Sequence, residues 1–308
     1  MIVLATALVA VPSSAGAYTL GVSDQLASTF TNPNFAPLKF KAARYITPYD
    51  VMNSPADKAE LDAWLNAARA ANINRILISF EHSHRGSRAK VLPSVAAYTK
   101  ELRKFRKAYP FVKEISPWNE VNRRIHAVGG GQYQGQPTWN NPRRVAQYYM
   151  AARRVFSPRT HTIVAIDLLD EQNVNRSIKF LKSFLRFAKP RPSVIGFHNY
   201  SDTNRFSTSR TRRVLAAFRG KVWLTETGGI VTLGTSFPYN LDRAKRALGC
   251  MFTLAKSNKR IQRLYVYQFN PAGDPQNAPF DAGLINPDNT PRPGYAVVQQ
   301  RRASACRP

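Results

Sequence analysis

Short apolar runs alternate along this chain with longer segments whose apolar residues recur every three to four positions. The runs read as strands buried on both faces, and the longer segments as helices with one face turned inward. Strands are predicted at 18–23, 40–46, 75–80, 115–120, 162–166, 194–197, 222–226 and 264–269. Helices are predicted at 57–71, 95–108, 142–156, 175–188, 210–218, 241–257 and, as a short closing element, 295–300. Leu61, Trp64, Leu65 and Ala68 fall on one face of the first helix. Pro110, Pro190 and Gly220 stop the helices that precede them, and Pro142 stands at a favourable first-turn position. A loop rich in Gly and Gln covers 128–136.

Alternation of strand and helix implies a parallel sheet. Eight rounds favour an α/β fold closed into a (β/α)8 TIM barrel over an open doubly wound sheet. Such a barrel takes about 250 residues, and the chain has 308 without a linker or a shift in composition. A single domain over 18–308 is expected.

The first residues change the picture of where the protein works. Met1 to Val11 are almost wholly apolar and lead into Pro12-Ser13-Ser14-Ala15-Gly16-Ala17, although the basic start of a typical leader is missing. The Ala-x-Ala ending predicts a signal peptide over 1–17, a mature start at Tyr18 and a secreted, extracellular protein. The run is too short to span a bilayer, so no membrane span is expected. Cys250 and Cys306 are the two cysteines. In an oxidising compartment they are expected to pair and tie the C-terminal tail to the body; the alternative is two free thiols, one buried.

Charge adds a question about partners. The net charge is +27, from 45 basic and 18 acidic residues. This balance attracts polyanions at long range, yet no zinc-finger, helix-turn-helix or RNA-sheet motif is present, so specific nucleic-acid binding is not expected. An acidic glycan or cell wall is one reading, and a soluble Arg-rich surface the other. The protein is expected to act as a monomer.

Against so many basic residues the seven glutamates stand out. Glu120 ends the run Ile115-Ser116-Pro117-Trp118-Asn119-Glu120, and Glu226 ends Val222-Trp223-Leu224-Thr225-Glu226. A carboxylate at the tip of a buried strand needs a reason. In a parallel barrel, chemistry collects at the C-terminal strand ends. Those ends carry Arg44, His82, Asn119, Glu120, Asp167, His198, Tyr200, Glu226 and Gln268. Two carboxyls, one protonated and one ionised, are what glycoside cleavage requires. An Arg beside Glu226 would keep it ionised and leave the proton to Glu120. Trp118, Tyr200, Trp223 and Tyr267 offer flat faces for sugar rings, though some must point into the core. Asp167 is expected to line the site. His82 and His84 form a conceivable metal pair but lack a third ligand, so no metal is expected. No cofactor motif is present: there is neither a nucleophile elbow nor a phosphate-cradling glycine loop.

With these residues in hand the chain resembles clan A of the glycoside hydrolases, retaining barrel enzymes with catalytic glutamates on strands four and seven. The resemblance implies that Glu120, in the pair Asn119-Glu120, is the acid/base and that Asn119 binds the sugar 2-hydroxyl. It implies that Glu226, in Trp-Leu-Thr-Glu-Thr-Gly, is the nucleophile. Arg44 near the end of strand two would support Glu226, and Tyr200 in His198-Asn199-Tyr200 would hydrogen-bond it. Two departures are visible: Val121 follows the acid/base where many members have Pro, and Tyr267-Gln268-Phe269 replaces a Trp ending strand eight. The resemblance thus implies a secreted retaining glycosidase acting on a poly- or oligosaccharide. A barrel that binds carbohydrate or cell wall without cleaving it is the alternative, and a polyanion binder a third.

Overall fold

The computed structural model describes residues 18–124, 126–127, 133–171 and 173–307. The predicted signal peptide and the centre of the Gly- and Gln-rich loop lie outside the described residues. The strands are β1 (Thr19–Ser23), β2 (Ala42–Pro48), β3 (Arg75–Glu81), β4 (Glu114–Ser116), β5 (His126–Ala127), β6 (Tyr133–Gln134), β7 (Thr162–Ile163), β8 (Asp167–Leu169), β9 (Val194–His198), β10 (Lys221–Thr227) and β11 (Ile261–Val266). The helices are α1 (Pro55–Ala70), α2 (Val95–Ala108), α3 (Pro142–Val155), α4 (Val174–Phe187), α5 (Tyr200–Asn204), α6 (Ser209–Ala217), α7 (Leu241–Lys256) and α8 (Pro293–Gln300).

Nine strands form one parallel sheet in the order β7-β4-β3-β2-β1-β11-β10-β9-β8, and β5 and β6 pair as a small hairpin. The two end strands belong to one stretch of chain. Val164 N–H donates to Ile115 O at 2.8 Å on one side, and Ala165 N–H to Val194 O at 3.0 Å on the other. The sheet therefore curls back on itself through 162–169, with helices outside.

The helices form where the apolar spacing and caps agree. Leu61, Trp64, Leu65 and Ala68 are the buried face of α1, Ser54 caps it by accepting from Asp57 N–H, and Pro55 opens it. Asn141 caps α3 and Asn240 caps α7 in the same way. Between β1 and β2 there is no α-helix, only the 3-10 turns Ala27–Thr31 and Ala36–Leu38. Pro33 and Pro37 deny that segment a continuous helical ladder.

Most strands shift by a residue or two from their predicted bounds, the strand predicted at 162–166 stops at Ile163 with β8 beginning at Asp167, and two further departures matter for the site. β4 stops at Ser116, four residues short of Glu120, because Pro117 has no N–H to give a ladder. β11 begins at Ile261 rather than at 264, and its predicted tail leaves the ladder. There Phe269 and Asn270 N–H groups both donate to Asp24 Oδ2 at 2.9 Å. Asp24 is fully enclosed, and burial pushes its carboxyl up against the lowering effect of those bonds.

Cys250, on α7, and Cys306 are joined, with Cα atoms 5.1 Å apart. The bridge holds the tail on α7, where Thr253 Oγ1 also donates to Ser304 O at 2.6 Å. Among the described residues no helix is long and apolar enough to cross a membrane.

Candidate active site

The centre of the sheet holds a charged side chain. Arg44, on β2, has no exposed surface. Its guanidinium is fully occupied: Nη1 meets Glu226 Oε1 at 2.6 Å and Ser23 at 3.1 Å, Nη2 meets Asn119 Oδ1 at 2.7 Å and Asp167 Oδ2 at 3.0 Å, and Nε meets Ser79 at 3.0 Å. A buried cation is tolerable only when paired in this way. Burial lowers its pKa, and Asp167 and Glu226 more than reverse that.

Asp167 is entirely enclosed as well. Besides Arg44 it accepts from Ser79 and Thr225 hydroxyls, each at 2.8 Å. It is a counter-ion under the site and not the lining residue expected from its strand-end position. Gly196 on β9 makes room for it, since a Cβ there would fall 1.9 Å from Asp167 Oδ1.

Glu120 reaches the site from a turn. Its φ is +42°, a left-handed conformation rare for a residue with a side chain. Asn119 N–H donates to Phe80 O at 2.6 Å and Val121 N–H to Asp167 O at 3.0 Å, so neighbouring strands hold this turn from both sides. The result brings together the two glutamates of the sequence pattern. One oxygen of Glu120, one of Glu226 and a ring nitrogen of His198 all lie within 4.8 Å of one another.

His198 stands between the carboxylates. Its Nδ1 is 3.2 Å from Glu120 Oε1 and 3.6 Å from Glu226 Oε2, and the ring is buried. Burial lowers its pKa, but the two carboxylates outweigh burial and the nearby Arg44, so the net shift is upward. Tyr200 donates to Glu226 Oε2 at 3.2 Å. Its ring, with those of Tyr267 and Phe280, makes a half-buried aromatic wall with centroids 5.8–6.4 Å apart.

Five other residues named from the sequence behave differently. Trp118 is fully buried, stacked on Tyr148 with Nε1 donating to Gln136 at 2.9 Å, so it is core and not a sugar platform. His82 meets Ser83 O at 3.0 Å and the His84 ring. Both nitrogens of His84 face carboxylates, Asp57 at 2.9 Å and Glu81 at 3.1 Å. Gln268 is half-buried beside Tyr267, with its backbone N–H on Ala282 O at 3.3 Å. Trp223 lies under the Arg263 guanidinium at 4.2 Å, in the wall of a cavity of about 470 Å³ that opens among the strand beginnings.

Among the residues that the sequence pattern does not single out is Arg123. Its Nη1 lies 2.8 Å from Glu120 Oε2. Burial pushes the Glu120 carboxyl up, but Arg123 and His198 prevail and hold it well below the ordinary carboxylate range. An arginine was expected on Glu226 alone; each carboxylate has one. The only signal was the three-residue spacing after Glu120. Ser79 did leave a trace, as a polar residue inside the apolar run of β3.

Glu120, His198 and Glu226 have the donor atoms for a metal, but Arg44 and Arg123 already occupy the same carboxylates. Two guanidiniums at that range would oppose a further cation.

Comparison with known proteins decides the family. A model of the glycosyl hydrolase catalytic core matches residues 134–295. The chain belongs to this family. The matched stretch includes Glu226, while Glu120 precedes it. No curated protein matches the chain. Among solved structures it is similar to a family 5, subfamily 18 glycoside hydrolase from Streptomyces cattleya in complex with GlcNAc. Identity is 15%, covering 96% of this chain and 83% of that one, with a TM-score of 0.65. A psychrophilic family 10 endo-β-1,4-xylanase shares 12% identity over 92% of this chain and 96% of its own, with a TM-score of 0.66. A family 39 glycoside hydrolase from Bacteroides cellulosilyticus shares 16% over 92% and 63%, with a TM-score of 0.61. At these identities the likeness is one of fold.

Proposed function

We propose that this glycosyl hydrolase is a secreted, retaining enzyme that cleaves β-linked bonds of a poly- or oligosaccharide, with Glu226 as nucleophile and Glu120 as acid/base. The observation that carries the reading is the approach of the two carboxylates to within 4.8 Å, oxygen to oxygen. Retaining pairs stand about 5–5.5 Å apart, whereas inverting pairs need about 6.5–9.5 Å to admit a water. Glu226 forms the bond to the anomeric carbon as Glu120 gives its proton to the departing oxygen. Glu120 then takes a proton from the water that releases the sugar, returning both groups to their starting state. Arg44 and Tyr200 fix the Glu226 carboxylate for attack, and Asn119, itself bonded to Arg44, is placed to meet the sugar.

The same reading takes the curled sheet as one (β/α)8 domain over 18–308. Export with removal of 1–17 is supported by the disulfide, which persists in oxidising compartments. The β-linkage is supported by the xylanase named above and by a family 5 neighbour solved with Manβ1-4GlcNAc. The test is a screen of chromogenic glycosides and polysaccharides with Glu226→Gln as control. Turnover that vanishes in the variant is expected; binding without turnover by the wild type would leave a carbohydrate-binding barrel.

A further inference from the structure

Glu120 as an acid poses a chemical problem. A general acid must hold a proton when the bond breaks. Yet Glu120 is bonded to the Arg123 guanidinium at 2.8 Å, which favours the carboxylate. The groups that face Glu120 are Arg123 from its own loop, His198 on β9, Glu226 on β10 and, beyond them, Arg44, Tyr200 and Tyr267. The carboxylate of Glu226 pushes proton affinity up, while the cations push it down. Of the cations, Arg44 is locked among its own partners inside the sheet and His198 is buried. Arg123 differs: its side chain is 40% exposed.

We propose that Arg123 is a specificity-determining residue that binds a carboxylate on the leaving-group side of the substrate, and that in exchanging partners it frees Glu120 to take up the proton it donates. This rests on the glycosidase reading above and names the substrate class for that site: a glycan bearing acidic sugars. A second carboxylate is chemically equivalent to the one Arg123 already holds, and the planar fork suits it. Once Arg123 has moved, His198 is the cationic partner left on Glu120, and the Glu226 carboxylate, with an oxygen within 4.8 Å, raises the proton affinity of Glu120. Glu120 then takes up a proton from the solvent pool and passes it to the glycosidic oxygen; the proton it later takes from the hydrolytic water returns to solvent when Arg123 re-forms the ion pair.

The net charge of +27 agrees, since it draws an acidic chain toward the protein.

The test uses two benzyl glycosides of whichever sugar the enzyme accepts, one with a 4-carboxylate on the ring and one with the neutral 4-carboxamide. Both leaving groups are poor and require protonation. For the wild type we expect kcat/KM to favour the carboxylate by about 10-fold to 100-fold, the range of a charge-assisted hydrogen bond. The advantage should reside in kcat and extend to higher pH than for the amide. In Arg123→Gln the preference should collapse to unity, and the pH optimum for the amide should move upward. Arg123→Lys should retain part of the preference, and it carries the test if the glutamine variant does not fold. Equal use of the two substrates by the wild type, or a preference unchanged in the variants, would overturn the proposal. A 2,4-dinitrophenyl glycoside, whose departure needs no proton, separates the two levels. Its turnover by wild type without carboxylate preference removes only the role of Arg123, whereas no turnover removes the glycosidase reading.

Discussion

Arg44 meets Glu226 at 2.6 Å from a side chain with no exposed surface, and the same guanidinium holds Asp167 at 3.0 Å. One buried cation thus joins Asp167, enclosed in the sheet, to the Glu226 carboxylate. Charge of this kind is costly to bury, and the network is stable because every donor of the guanidinium has a partner.

Breaking that network should hurt both stability and activity. Arg44→Leu leaves Asp167 and Glu226 buried without their cation, at a cost of roughly 3–5 kcal/mol. Arg44→Lys keeps the charge but cannot span five acceptor residues, so it should fold with much reduced kcat. Urea unfolding and steady-state kinetics measure the two effects. An Arg44→Leu protein as stable as wild type would show that the network is not under this constraint.

The disulfide closes a loop with a sequence separation of 56 residues. Chain entropy puts its contribution at roughly 4 kcal/mol. Cys306→Ser should therefore lower the unfolding midpoint in urea well beyond experimental scatter, and reducing agent should do the same to the wild type but not to the variant. Equal midpoints with and without reductant would contradict this.

His84 ties the end of β3 to the start of α1 through Glu81 and Asp57. The bond to Glu81 leads in raising its pKa to about 9, against the lowering effect of burial. Burial pushes Asp57 and Glu81 up, but their hydrogen bonds and the His84 charge hold both low. The pair therefore stabilises the fold fully above the ordinary carboxylate range and below the unfolded histidine value of about 6.5. Its contribution fades as pH rises through about 9, and also as pH falls through the carboxylate range. With His84 43% exposed, solvent screening limits the effect to less than about 1 kcal/mol. His84→Gln should be less stable than wild type near pH 6 and indistinguishable above pH 10. A difference that grows with pH would reverse the assignment.

The parts of this site legible in the sequence are those set by periodic pattern. Glu226 follows a regular apolar run and lies within β10, and the buried face of α1 follows from spacing alone. Glu120 was legible as a residue but not as a geometry. Pro117 ends β4 early, and the left-handed turn at Glu120 depends on hydrogen bonds to Phe80 and Asp167, which are remote in sequence. Trp118 and Asp167 show the limit of reading strand ends. Alternation decides inward from outward only while the strand stays regular, and neither residue lies within an uninterrupted one. Phe280 and Arg123 come from loops, where no period marks a side chain before its neighbours are known.

The most direct test of the central claim is covalent. Wild-type protein is incubated with a panel of 2,4-dinitrophenyl 2-deoxy-2-fluoroglycosides, which form the glycosyl-enzyme faster than it breaks down, and is then digested and mass-mapped. A single adduct of one fluorosugar on the peptide carrying Glu226, absent in Glu226→Gln, is the predicted result. An adduct on another residue, or turnover of a natural glycan with inverted configuration and no adduct, would contradict it.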